Sequence, residues 1–300
     1  MSESRQLPVI QPREAGEPPI FEKIAIVGLG LIGGSIALAA REIWPTGLVI
    51  AVDDKDVLEQ AMVRHAIDVA ADDLVVIGEA DLIILAAPVA QIIELLDQLD
   101  DHVHGHAIVT DVGSTKRAIV EAAAALPARL AFIGGHPLGG AARGGLAFAR
   151  PDLFRKRPWI FTPHTDSSGE PLEKLFAFAG RLGASPVTMT AAEHDAVMAF
   201  LSHLPQLAAS ALMETVGNAA GERLALAGRG LVDTTRLASS SATIWTDICA
   251  TNADQIGPAL DVFIARLLEL RRGLDDGEAI ERVFENAARC RDRLMEGRES

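Results

Sequence analysis

From Lys23 to about Met189, short apolar runs alternate with longer stretches whose apolar residues recur at helical spacing. That alternation is the rhythm of βαβ units and of a parallel sheet. The pattern predicts strands at Lys23–Val27, Leu48–Val52, Leu82–Ala86, Ile108–Asp111, Ala131–Gly134, Trp159–Thr162 and Pro186–Met189. Several are apolar at every position, as strands covered on both faces must be. Beyond Ala191 the strand signal stops. Leu260, Phe263, Ile264, Leu267 and Leu268 mark one helical stripe, and Ile280, Val283, Phe284, Ala287 and Ala288 mark another. The chain is thus expected to divide into a solvated tail (1–20), an α/β domain (21–190) and an all-helical domain (191–300).

Gly28, Gly30 and Gly33 form G-x-G-x-x-G at the end of the first strand, where a helix begins. In such a turn the first glycine allows the bend and the second lets backbone approach a pyrophosphate. The third brings helix against strand, and the helix N-terminus faces the anion. Three glycines also make ordinary turns, but here a second strand follows and ends at Asp53, at the spacing of a ribose-binding acid. The setting predicts a Rossmann-type dinucleotide site built on Gly28, Gly30, Leu31, Ile32 and Gly33. A carboxylate at Asp53 repels a 2′-phosphate, which favours NAD over NADP. Asp54 could share its role. Ala87–Pro88 and the run Asp111–Lys116 end two further strands and point at the same crevice. Ser114 falls near the nicotinamide or caps the next helix, and the two roles can coexist. Lys116 either meets an anionic ligand or is a solvated charge.

Composition narrows the partners. The 41 acidic and 27 basic side chains leave a net charge of −14, which repels nucleic acid and anionic lipid. The apolar run Leu82–Ala90 falls short of the ~20 residues of a membrane span. The first twenty residues lack the apolar centre of a signal peptide, so a cytoplasmic protein is expected. Cys249 and Cys290 stand in no metal-binding or disulfide pattern and read as inert packing, and no metal site is indicated.

Three further residues could carry chemistry. Gly134–Gly135–His136–Pro137 places an imidazole on a glycine-flexed loop at the sheet's catalytic edge, as a catalyst or as a structural hydrogen-bonding partner. His203 precedes Pro205, which interrupts a helical ladder and bends it. It is either a satisfied interior histidine or a cleft residue. Arg236 stands among small and hydroxyl residues, suited to clamp a carboxylate or to pair with Asp233 or Asp247. His194 and Asp195 read as packing at the domain junction.

Together these pieces resemble the prephenate/arogenate dehydrogenase family of tyrosine biosynthesis. The resemblance rests on the glycine loop through Ser35, Asp-Val-Gly-Ser-x-Lys at 111–116, Gly-Gly-His-Pro at 134–137 and Leu153–Phe154. It continues with His194–Asp195, Ser-His-Leu-Pro at 202–205, Thr-Arg-x-Ala-x-Ser at 235–240, and Trp245 through Asn252. It implies an NAD-linked N-terminal domain, an all-α C-terminal domain that builds a homodimer, and a cleft between them. It further implies His136 and Ser114 as catalytic residues, and His203 and Arg236 as binders of prephenate or arogenate. The family often has Thr and Glu soon after Gly-Gly-His-Pro, where this chain has Ala141, Ala142 and then Arg143. Neither a regulatory extension nor a fused chorismate mutase is expected. A β-hydroxyacid dehydrogenase shares the plan but relies on a lysine in its helical domain, and no lysine follows Lys174. A noncatalytic NAD sensor would leave His136, His203 and Arg236 without purpose.

Overall fold

The computed structural model describes residues 18–140, 143–163 and 169–299. Most of the expected tail, and Ala141–Ala142, lie outside the described residues. Eight strands form one sheet: β1 (Lys23–Val27), β2 (Leu48–Val52), β3 (Val69–Ala71), β4 (Leu82–Leu85), β5 (Ala107–Asp111), β6 (Leu130–Pro137), β7 (Pro158–Thr162) and β8 (Ser185–Thr188). Their order is β3-β2-β1-β4-β5-β6-β7-β8, parallel throughout except for the antiparallel pair β6–β7. Five helices cover the sheet: α1 (Leu31–Ile43), α2 (Lys55–Val63), α3 (Val89–His102), α4 (Arg117–Ala123) and α5 (Glu170–Arg181). The helical part comprises α6 (Ala191–Met198), α7 (Leu204–Ala220), α8 (Arg229–Thr234), α9 (Ala242–Thr251), α10 (Ala253–Arg272) and α11 (Gly277–Glu299).

The side-chain alternation of β1 shows why both faces are apolar. Ile24 and Ile26 enter a core with Ile36, Trp44, Phe161 and Phe178, while Ala25 and Val27 enter a second with Ile83, Leu85, Ile92 and Val109. Two differences from the sequence reading have local causes. Strand β3 has three residues and no period to detect. Strand β6 runs on through His136 to Pro137, because β7 turns back and pairs with the glycine segment. His136 is therefore held in a strand, not on a loop.

The strand order switches direction at β1, since β2 and β3 lie on one side of it and β4 on the other, all of them parallel. Ligands in open α/β sheets bind at such a switch point, outside the carboxyl ends of the strands. The glycine turn sits there. Gly28 has φ of +97°, and a Cβ on Gly33 would fall 2.0 Å from the carbonyl oxygen of Gly28.

The helical part buries little of its own. Its apolar cluster contains Ala199, Ile248, Ile256 and Ala259, with a few half-buried neighbours. The stripe residues Ile264, Leu267, Leu268 and Phe284 are exposed in the single chain, and so is Cys290, whose Sγ accepts a hydrogen bond from Arg293. Nothing among the described residues covers these four apolar side chains. The run Ala191–Leu226 also holds a window long and apolar enough to cross a bilayer by length and composition, 28% of it buried. The reading that rested on Leu82–Ala90 overlooked it.

Gly33→Ala tests the turn. Overpacking of this kind costs about 1–3 kcal/mol, and the clash here is with backbone. We expect a lower midpoint of urea unfolding at unchanged slope; an unshifted midpoint means the turn has room to yield.

Candidate active site

The cleft at the switch point measures about 550 Å³, and its walls include Gly28, Gly30, Asp53, Ala87 and Pro88. Leu31, Ile32 and Gly33 form the first turn of α1, whose N–H groups have no partner within the helix. One oxygen of Asp53 accepts the N–H of Leu29 in the glycine turn, and the other accepts that of Asp54 at 2.7 Å. The carboxylate is thus fixed at the rim. Asp54, Asp72 and Glu94 line the same cleft, and nearby Lys55 is paired with Asp72 at 3.3 Å. The tight glycine backbone, the free helix N-terminus and the anchored acid fit a dinucleotide.

Next along the sheet edge, Asp111 at the end of β5 accepts hydrogen bonds from the N–H groups of Gly113 (2.7 Å) and Gly135 (3.0 Å). Lys116 is fully buried, pairs with Asp111 and donates to the carbonyl of Gly135 at 2.8 Å. It is neither a solvated charge nor a ligand contact. Burial pulls its pKa down and Asp111 opposes that pull. The pair locks β5 to β6 one residue before His136.

His136 Nδ1 lies 2.8 Å from His194 Nε2, and His194 Nδ1 lies 2.8 Å from Asp195 Oδ1. The junction residues that read as packing are therefore part of the constellation. Burial alone would raise the pKa of Asp195, but hydrogen bonds from His194 and from the backbone of Arg117 and Lys116 hold it below the ordinary range. Being ionised, Asp195 can only accept, so His194 carries its proton on Nδ1. His194 Nε2 is then a lone pair, and His136 must donate to it from Nδ1. His136 Nε2 is left as an acceptor with no partner among the described residues. Burial, then the neighbouring His194, Lys116 and His203, depress the His136 pKa well below normal, so the ring is neutral.

Asp195 also crosses between domains. Its oxygens accept the N–H of Lys116 (2.7 Å) and of Arg117 (3.0 Å), where α4 begins. It thereby caps that helix, and Ser114 does not. Ser114 is half-buried with its hydroxyl free of partners among the described residues. Arg117 extends to Asp254 at 2.8 Å and to Asn252 at 3.0 Å.

His203 is fully buried in a π-helical turn, Ala199–His203, set just before the proline-bearing start of α7. Pro205 has no N–H to offer, which favours the wider turn. His203 Nδ1 lies 3.3 Å from Asn252 Nδ2, its ring edges onto Trp245, and its Nε2 has no partner among the described residues. Burial draws its pKa down to about 4. Arg236 opens the short turn Arg236–Ser239 and is exposed, with no ion pair among the described residues. Asp247 instead accepts the N–H of Ala90 at 3.3 Å. Arg143 lies 5.8 Å over the ring of Phe148.

A family model described as the prephenate dehydrogenase nucleotide-binding domain matches residues 36–188, and the corresponding dimerization domain matches residues 190–286. The chain belongs to the prephenate dehydrogenase family. It is 35% identical over 286 residues to the prephenate dehydrogenase of Bacillus subtilis, covering 91% of this chain and 76% of that protein. Synechocystis arogenate dehydrogenase superposes with a TM-score of 0.77 at 31% identity, covering 91% of this chain and 99% of that one. Prephenate dehydrogenase from A. aeolicus, solved with hydroxyphenyl propionate and NAD+, gives 0.83 at 27% identity, covering 92% and 98%. The chain is thus an oxidoreductase with an NAD-binding α/β domain followed by a helical dimerization domain. Neither the β-hydroxyacid dehydrogenase nor the sensor reading is favoured.

The buried histidines make stability depend on pH. Between the ordinary imidazole value and about 4, an unfolded chain binds a proton that folded His203 refuses. Stability from this residue is therefore complete above the unfolded pKa and is lost as pH falls towards the folded one, at up to about 1.4 kcal/mol per pH. His136 and His194 act with the same sign. Urea melts across this range, at fixed protein concentration, should show a shallower acid decline for His203→Asn than for wild type. An unchanged slope means that His203 is not held neutral.

Proposed function

We propose that the chain oxidatively decarboxylates prephenate to 4-hydroxyphenylpyruvate, with arogenate as the amino counterpart. Prephenate ranks first on the name of the Bacillus relative. The observation that carries the residue assignments is the Asp195–His194–His136 chain, which leaves His136 Nε2 as a neutral acceptor. Prephenate is a cyclohexadienol with a ring carboxylate para to the carbinol carbon. When bound, NAD supplies the acceptor for the hydride of that carbon. His136 Nε2 takes the hydroxyl proton while His136 Nδ1–H stays bonded to His194. The charge developing on the ring is balanced through His194 by ionised Asp195. The bond to carbon dioxide then breaks, its electrons aromatise the ring, and the oxygen regains a proton from His136 Nε2. Ser114, with its hydroxyl unclaimed, is assigned to hydrogen-bond the reacting hydroxyl. Arg236, with no counter-ion among the described residues, is assigned to a substrate carboxylate, and His203 to the side-chain end.

Gly28, Gly30, Leu31, Ile32, Gly33, Asp53, Ala87 and Pro88 are assigned to the cofactor. The acidic rim supports NAD over NADP, because a 2′-phosphate would meet Asp53 and Asp54. The division at 190/191 is supported by the end of β8 at Thr188 and by a capping box in which Thr190 and Glu193 start α6. A homodimer through the helical part, in the cytoplasm, completes the reading. The apolar run Ala191–Leu226 contains buried His194, Asp195, His203 and Gln206, polar groups that are costly in lipid. Its exposed apolar residues suit a second copy of the chain.

His136→Asn should retain NAD affinity and lose about 10²- to 10⁴-fold in kcat. Wild-type kcat should fall on acidification only below the ordinary imidazole pKa, since the neutral ring is the active form. Near-normal turnover by the asparagine variant removes His136 from the chemistry. For the cofactor, kcat/KM should be higher with NAD than with NADP, and Asp53→Ser should narrow the ratio. Either an NADP preference in the wild type or an unchanged ratio in the variant would overturn the role of Asp53. Assaying prephenate and arogenate side by side ranks the two substrates.

A further inference from the structure

The turn Arg236–Ser239 buries none of its own residues, yet it carries the side chain assigned to the substrate carboxylate. An arginine clamp works only if its backbone is fixed, because a free turn spends binding energy on ordering itself. What fixes this turn is a residue outside it. Gln206 lies in the first turn of α7, three residues after His203 and thus on the same helical face. It is 5% exposed, although its side chain is fully polar at the tip. Its Nε2 donates to the carbonyl of Leu237 at 2.7 Å, and its Oε1 accepts from the Ser240 hydroxyl at 3.1 Å. Nε2 also lies 3.3 Å from the Ser210 hydroxyl. The two stronger bonds bracket the turn, one to the residue after Arg236 and one to the residue that closes it. A buried amide used on both its donor and its acceptor side cannot rotate without leaving a buried polar group unpaired.

We propose that Gln206 is the positioning residue of the Arg236 clamp: it holds the turn against α7, one helical step from His203, and so sets where the guanidinium meets the substrate. This inference rests on the assignment of Arg236 made above. It predicts an effect on substrate binding that exists only while Arg236 is present.

The test is a double-mutant cycle on the full-length protein, with Gln206→Met, Arg236→Gln and the pair. Methionine keeps length and volume but gives up both bonds. Gln206→Met is expected to raise KM for prephenate about tenfold while lowering kcat little, with unchanged affinity for NAD. In the Arg236→Gln background the same change should have almost no further effect. Should the methionine variant fold poorly, as a lowered thermal midpoint would show, Ser240→Ala provides the second reading, since Ser240 is exposed and the change removes one bond only. It should raise KM about threefold, again only when Arg236 is present. Gln206→Glu keeps the acceptor but turns a carboxylate oxygen towards the Leu237 carbonyl, and should behave like methionine. If Arg236→Gln itself leaves kcat/KM at the wild-type level, the clamp assignment fails. If Arg236→Gln is severe but the Gln206 and Ser240 variants keep wild-type KM, or lose equally in both backgrounds, the positioning role of Gln206 is wrong.

Discussion

The carboxylate of Asp195 is the group on which the rest of the site depends. It is fully enclosed, and a buried carboxylate must be surrounded by donors or give up its charge. Here it draws the imidazole of His194, the first amides of α4 and the guanidinium of Arg117 into one cluster. Those donors come from both halves of the chain. Satisfying the charge therefore docks the helical part on the sheet and fixes the proton positions of His194 and His136 together. Removing one partner from a buried ion pair typically costs about 3–5 kcal/mol, so misdocking is disfavoured by the same interaction that orients the two imidazoles. The helix dipole of α4 adds to this, since its N-terminus points at the anion.

The gathering of the glycine turn and Asp53 at one cleft was legible in the sequence, and so was His136 as a candidate, but its contact with His194 was not. Gly28, Gly30, Gly33 and Asp53 sit at fixed local spacing, and local spacing is what a sequence displays. The partnership of His136 with His194 spans 58 residues and arises only when two domains meet. A signal was present all the same: His194 and Asp195 are adjacent polar residues just past the start of a helix, a place where one of two neighbours usually faces solvent. Lys116 was misjudged for a related reason. It stands five residues from Asp111, and only a strand–turn–helix path folds that separation back into contact. His136 seemed to belong to a loop because glycines usually signal turns; here Gly134 and Gly135 pair with β7 inside a strand.

The helical part illustrates the opposite case. The stripes on α10 and α11 were correctly periodic, but in the single chain only Leu260 reaches the enclosed cluster, while Ile264, Leu267, Leu268 and Phe284 are exposed. Periodicity reports that a face is to be buried and says nothing about whose surface buries it. The small enclosed cluster of Ala199, Ile248, Ile256 and Ala259 cannot account for the amount of apolar surface that the helices carry. Dimerization is thus part of how this half of the chain acquires an interior.

The reversal at β7 has a consequence for how such an enzyme can change. Because β6 and β7 run in opposite directions, the connection 138–157 leaves and re-enters the sheet at the same edge, beside the cofactor crevice. It is moored there by Arg64, which donates to the carbonyls of Leu146 and Ala149, and by Ser35, whose hydroxyl accepts the N–H of Arg150. The moorings fall at Leu146, Ala149 and Arg150, downstream of the departure from the family pattern at 141–143. The β6–β7 pairing ends at Pro137 and Trp159, so a replacement at Arg143 leaves every strand pairing in place. The register of the sheet and the course of the connection are thus held by separate sets of bonds, and the connection can vary in sequence while the register stays fixed.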